Sequence, residues 1–192
     1  MTMFLLFLAL LGADPRLEAL WRDGITFTVF QRDSEVRREI LDRNAALAAA
    51  VPADLLARAR AVEGTWRFLV VAVDGCSDSV NSIPFLAALA DSAGFEVRII
   101  DRERGRALME ENRTPDGRAA TPTVILLNDR FDNVGVWVER PAALQTWLLE
   151  NPEKLPNAQL FERKMKWYDD DGGRSSLVEL VELLERAAAR VE

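Results

Sequence analysis

Histidine is absent from all 192 residues of the chain, and cysteine occurs once. The first absence removes Ser-His and Cys-His pairs, the commonest zinc ligand and the commonest general base. The second excludes an intrachain disulfide and leaves Cys76 as a lone thiol. Positive charge is in deficit: 24 Lys and Arg stand against 31 Asp and Glu, for a net charge of −7. That balance disfavours a surface that neutralises a nucleic-acid backbone, so no nucleic-acid partner is expected. No Walker loop, dinucleotide fingerprint or aromatic-basic face occurs. Repeats, low-complexity stretches and Gly/Ser-rich linkers are missing as well. The apolar run at residues 4–11 (FLLFLALL) is far short of the ~20 residues that cross a bilayer, so no membrane span is expected. No Lys or Arg precedes that run, and Leu11-Gly12-Ala13 is a poor signal-cleavage site. A buried N-terminal helix, a start site placed too early and an export signal remain open. The expected compartment is the cytoplasm, with export as the alternative.

What is present is a hydrophobic share of 49% and a charged share of 29%, enough for a water-soluble chain with a sizeable core. The pattern divides the chain into a helical N-terminal extension (1–63), an α/β core (64–150) and a C-terminal helical extension (151–192), packed as a single domain. In the first part Pro15 opens a helix with Leu17, Leu20 and Trp21 on one face. Ile25 to Phe30 reads as a short strand or a tight connection. Ser34 is placed to cap a helix through Ile40, Leu41 and Leu47, and Pro52 opens another that ends before Gly64.

The core begins with Phe68 to Val73, an uninterrupted apolar run of the kind covered on both faces. A helix follows over Val80 to Ala93, then a strand with Phe95, Val97 and Ile99, and a short helix around Ala107 to Asn112. Thr123 to Leu127 and Val134 to Val138 are two strands joined by turn residues. Pro141 starts the next helix. The economical arrangement is a parallel pair with a helical crossover, extended by an antiparallel hairpin. In the tail, one helix spans Asn157 to Trp167. Ser176 and Glu179 then read as a capping box for a second, with Leu177, Leu180, Val181 and Leu184 as its stripe. Trp21, Trp66, Trp137 and Trp147 sit beside apolar runs and read as core.

Chemistry points to Cys76, in Asp74-Gly75-Cys76-Ser77-Asp78-Ser79, where the first core strand gives way to a helix. Unpaired N–H groups and the dipole at a helix N-terminus favour the reactive thiolate form of such a cysteine. The carboxylates of Asp74 and Asp78 oppose that effect, and no cation lies within the loop to offset them. Asp78 reads as a helix cap that could also handle a proton. Two other clusters read as solvated surface. Asp169-Asp170-Asp171-Gly172-Gly173 lacks calcium-loop spacing, and Arg102, Arg104 and Arg106 are interleaved with Glu103. No metal site is expected.

Cys76 and Ser79 make a C-x-x-S frame, Pro84 stands eight residues after the cysteine, and Thr121-Pro122-Thr123 leads into a strand. With the order of elements, these features resemble the thioredoxin superfamily. More closely, the chain is similar to a bacterial thioredoxin-like group with long helical extensions, through Asp74, Cys76, Asp78, Arg118, Pro122, Trp137, Arg140 and Pro141. The tail segment Lys166-Trp167-Tyr168-Asp169 is similar too. The resemblance implies a thioredoxin-like three-layer fold, with a mixed central sheet and helices on both faces. It also implies a cis-proline at Pro122 facing Cys76. Gly75, Thr121 and Pro122 would present backbone to an extended peptide or a small thiol, beside a catalytic group of Cys76, Ser79 and Asp78. Three positions depart from the family pattern. Gly75 replaces a shielding aromatic residue, Ser79 replaces the resolving cysteine, and Val70 replaces a buried acid. A monothiol oxidoreductase is therefore expected, with no bound cofactor and an external thiol such as glutathione as resolving agent. A non-catalytic peptide-binding module and a thiol-based redox sensor are the alternatives.

Overall fold

The computed structural model describes residues 14–150 and 156–190. The apolar run at residues 4–11 lies outside them. The elements run α1 (Pro15–Asp23), α2 (Phe27–Asp33), α3 (Arg38–Ala48), α4 (Ala53–Arg60), β1 (Arg67–Val71), α5 (Ser77–Ala93), β2 (Glu96–Ile100), α6 (Arg106–Glu111), β3 (Thr123–Leu127), β4 (Asn133–Val138), α7 (Ala142–Glu150), α8 (Asn157–Asp171) and α9 (Arg174–Ala188).

The sheet order is β2-β1-β3-β4. β1 runs parallel to β2 and antiparallel to β3, and β3 pairs antiparallel with β4. The apolar runs of β1 and β3 follow from this order, because the two central strands are covered on both faces. Phe68, Val70, Val124 and Leu126 face one layer with side chains from α3, α4, α5 and α9. Leu69, Val71, Ile125 and Leu127 face the opposite layer with Leu17 and Trp21 of α1 and Leu108 and Met109 of α6. The three-layer architecture expected from the sequence is thus present, with helices from both extensions packed on the sheet. Trp21, Trp66 and Trp137 are buried, whereas Trp147 is only partly so.

Four local expectations need correction. Ile25 makes a single bridge to Ile99 on the outer edge of β2, after which Thr26 caps α2. β-Branched residues at 25–29 thus yield to a helix, since the edge strand offers one pairing point and no more. Ser34 caps no following helix; its hydroxyl donates back to Phe30 O at the end of α2. Ser176 and Glu179 form no capping box. α9 starts one turn earlier, after Gly173, whose φ of +79° and contact with the Phe85 ring leave no room for a side chain. Asp171, the last residue of α8 rather than part of a solvated loop, caps α9 by accepting from Ser175 N–H.

α5 passes Pro84 without a break, although proline cannot donate to the carbonyl four residues back. That carbonyl, Val80 O, accepts from Asn44 Nδ2 at 2.9 Å instead. Asn44 also donates to Asn81 Oδ1 at 2.8 Å, so α3 is pinned along the first turns of α5 by polar contacts as well as packing. No helix among the described residues is long and apolar enough to cross a membrane.

Candidate functional site

β1 ends in the middle of the sheet, and the chain turns through 72–76 to start α5. Cys76 is the N-cap residue of that helix, half-buried, with extended backbone. Its thiol donates to Thr121 O at 3.1 Å. The Thr121–Pro122 peptide bond is cis. Pro122 is buried, and its carbonyl accepts from Glu139 N–H at 2.7 Å, which ties the proline segment to the end of β4. Cys76, Thr121 and Pro122 are therefore brought together, with the sulfur against the carbonyl that precedes the proline.

Ser79 lies one turn into α5, on the same side as the N-cap residue by helical spacing. It is 0% exposed, and its hydroxyl has no hydrogen-bond partner. The carbonyl four residues back, Gly75 O, accepts from Arg37 Nε at 2.9 Å instead. Gly75 itself is exposed, and a Cβ there would sit 3.5 Å from Val36 Cγ1 in ordinary contact. Part of the N-terminal extension thus lies against the loop. Asp74 holds it there, its Oδ2 accepting from Glu35 N–H and Val36 N–H, each at 2.8 Å. Arg37 also places its guanidinium over the Phe161 ring of α8, 5.3 Å from the centroid.

Asp78 does not cap the helix. Its carboxylate, in a residue 4% exposed, accepts from Lys164 Nζ at 2.5 Å, Arg140 Nη2 at 3.2 Å and Tyr168 Oη at 2.6 Å. Lys164 also donates to Ser77 Oγ at 3.1 Å. Cations absent from the loop itself arrive from the segment after β4 and from α8, so the charge of Asp78 is matched. The same cluster continues to the proline segment. Arg140 also pairs with Glu139, and the Glu139 carboxylate takes both terminal nitrogens of Arg118 at 2.8 and 2.9 Å. The Arg118 Nε hydrogen bond holds the Asp116 carboxyl down at about 2. A continuous chain of charge-assisted bonds therefore joins the Cys76 loop to the segment that leads into Pro122.

Lys164, Tyr168 and Glu139 were not among the candidates read from the sequence. Tyr168 had a signal in the tail segment that resembled the bacterial group, and Arg118 and Arg140 had one in their motif positions. Lys164 had none. Among the described residues no group of three or more metal-ligating side chains comes together.

Tyr168 is the only tyrosine of the chain, which makes it a private reporter of this cluster. Burial, and next the negative charge of Asp78, push its ionisation far above the ordinary 10.0. A folded-state value above the unfolded one means stability that is complete below pH 10 and lost as pH rises beyond it, by about 1.4 kcal/mol per pH unit. Tyrosinate absorbance should stay flat through pH 10 and rise only together with unfolding. A rise centred near 10 in a chain whose tryptophan fluorescence is still native would refute this burial.

The family model described as thioredoxin matches residues 24–159. No curated protein matches the sequence. A protein of unknown function from Pseudomonas aeruginosa has a similar structure, with a TM-score of 0.68 at 20% identity over 88% of this chain and 96% of that one. An HIV epitope-scaffold is similar as well, with a TM-score of 0.66 at 20% identity over the same shares of the two chains.

Proposed function

The chain belongs to the thioredoxin family, and from that premise we propose that it is a monothiol thiol-disulfide oxidoreductase in which Cys76 is the nucleophile. The observation that carries this reading is the half-buried sulfur at a helix start, 3.1 Å from the carbonyl that precedes cis-Pro122. Gly75, Thr121 and Pro122 form the backbone rim on which an extended peptide or a small disulfide lies beside that sulfur. The Cys76 thiolate attacks one sulfur of the bound disulfide, so that one S–S bond forms as the other breaks. The departing thiolate takes up a proton. With serine at position 79, the mixed disulfide has no internal thiol to resolve it. An external thiol of the glutathione type attacks in turn and restores Cys76.

Asp78 serves as a positioning residue, because its carboxylate is fully engaged with Lys164, Arg140 and Tyr168. It holds the start of α5, and with it the sulfur, against the proline segment. A free thiol used in this way suits a reducing compartment, and we place the protein in the cytoplasm. The core at 64–150 and the two extensions act as one unit, since the loop is gripped from both sides.

Oxidised glutathione at neutral pH tests the reading. One glutathione per chain is expected on Cys76, removed again by added thiol, with Cys76→Ser inert. If the folded chain stays unmodified while the urea-unfolded chain reacts, Cys76 is a buried structural residue and the proposal fails.

A further inference from the structure

Gly75 has no local reason to be glycine. Its φ lies outside the left-handed region, and an added Cβ would meet only Val36, at 3.5 and 3.9 Å, in ordinary contact. The position is exposed and stands one residue before the sulfur. Val36 is 55% exposed, with its backbone fixed by Asp74 Oδ2, which accepts from Val36 N–H. Arg37 follows, its Nε donating to Gly75 O and its guanidinium lying over the ring of Phe161, which is 41% exposed. Two of the five large apolar side chains exposed among the described residues thus stand at the Cys76 loop, one from each extension. The terminal nitrogens of Arg37 have no partner among the described residues, whereas Arg118, Arg140 and Lys164 are each paired with a carboxylate.

Resting on the oxidoreductase reading, we infer that Val36, Arg37 and Phe161 form a specificity ledge for polypeptide disulfides. The segment it selects has an apolar residue beside its cysteine and a carboxylate beyond that residue. The missing side chain at Gly75 leaves the way to the ledge open. Gly75 and Cys76 have Cα atoms about 3.8 Å apart, and an extended peptide advances about 3.3–3.6 Å per residue, so the neighbours of a bound half-cystine come level with the ledge. An apolar side chain there covers Val36 and Phe161, and a carboxylate pairs with the open end of the Arg37 fork. A small neutral disulfide reaches the sulfur and leaves the ledge empty.

Three peptide homodisulfides and hydroxyethyl disulfide provide the test, with the rate of mixed-disulfide formation on Cys76 read by mass spectrometry. The first peptide carries Leu on both sides of Cys and Glu beyond; the second has Ser for Leu, and the third has Lys for Glu. Covering about half of a leucine side chain commands roughly a three- to tenfold gain, so the Leu-Glu peptide should outpace the Ser-Glu peptide by that factor. It should also outpace the Leu-Lys peptide, although the net charge of −7 favours the lysines. Val36→Ser, Phe161→Ser and Gly75→Leu, the last of which sets the chain's own side chain on the ledge, should each remove most of the leucine preference. Arg37→Gln should remove the preference for glutamate. Leu47→Ser, at a similarly exposed leucine near the far end of α3, should keep both preferences. Equal rates for the Leu-Glu and Ser-Glu peptides, in a chain that reacts with hydroxyethyl disulfide, overturn the ledge and leave the oxidoreductase reading standing. A leucine preference that survives both Val36→Ser and Phe161→Ser overturns it as well, and a Leu-Lys peptide as fast as Leu-Glu overturns the role of Arg37. A folded chain whose Cys76 reacts with none of the four disulfides overturns the oxidoreductase reading, and the ledge with it.

Discussion

Replacement of Asp78 by alanine is expected to destabilise the protein by about 3–5 kcal/mol, the range for removal of one member of a buried ion pair. The Asp78 carboxylate is enclosed with Lys164 and Arg140, whose side chains are only 11% and 9% exposed. Without it, two positive charges stay in a site largely closed to water, and the Tyr168 hydroxyl loses its acceptor. Asp78→Asn keeps the volume and one acceptor, so it should lose less than alanine. A second change, Lys164→Met, should restore part of the Asp78→Asn loss, since it removes a charge that has lost its partner. The Arg43–Asp169 pair provides the contrast. It has similar geometry but both side chains are about half exposed, so Asp169→Ala should change stability by less than about 1 kcal/mol. Urea unfolding followed by tryptophan fluorescence measures all four variants. An Asp78→Ala loss no larger than that of Asp169→Ala would mean that the cluster is solvated and does not hold the loop.

The second large effect concerns the missing sulfur. Ser79→Cys should convert the chain from a thiol that stalls at the mixed-disulfide stage into one that resolves its own adduct. The native side chains at 76 and 79 stand one turn apart at the start of α5, and the serine is buried. Mild oxidation of the variant should close an intramolecular disulfide, seen as the loss of both free thiols without dimer formation. In an insulin-reduction assay with an external reductant, the variant should turn over while the native chain remains near background. If no internal disulfide forms, the two side chains diverge and the redox frame is only a pattern in the sequence.

The sheet was legible because its two central strands are apolar at every position after the first, a pattern that few other environments produce. The hairpin was legible from the turn residues between 127 and 134. Cap residues were not, and the reason is physical. Ser34 and Ser176 each have the side chain of a cap, but a serine hydroxyl also bonds backward along a helix or sideways to a neighbour. Ser34 does the first, with Phe30 O, and Ser176 approaches Ser82 Oγ at 3.4 Å. Glu179, read as the other half of a capping box, accepts instead from Trp137 Nε1 and from Ala142 N–H at the start of α7. The position of the sulfur beside Pro122 could be anticipated from resemblance. The partners of Asp78 could not, because periodicity reports neighbours within one element, and these donors come from other elements far along the chain.

That separation sets a timetable for synthesis. Asp78 precedes Arg140 by 62 positions, Lys164 by 86 and Tyr168 by 90. At about 5–20 residues per second, roughly 4–17 s pass between the emergence of the carboxylate and that of its lysine. Through that interval the nascent chain carries Cys76 on a helix start with no lock. A ribosome-tethered chain that ends before Lys164 should therefore be cleaved by protease at the 72–76 loop, and one extended until Tyr168 has left the ribosome should resist. In this chain the cysteine loop is written early and finished late.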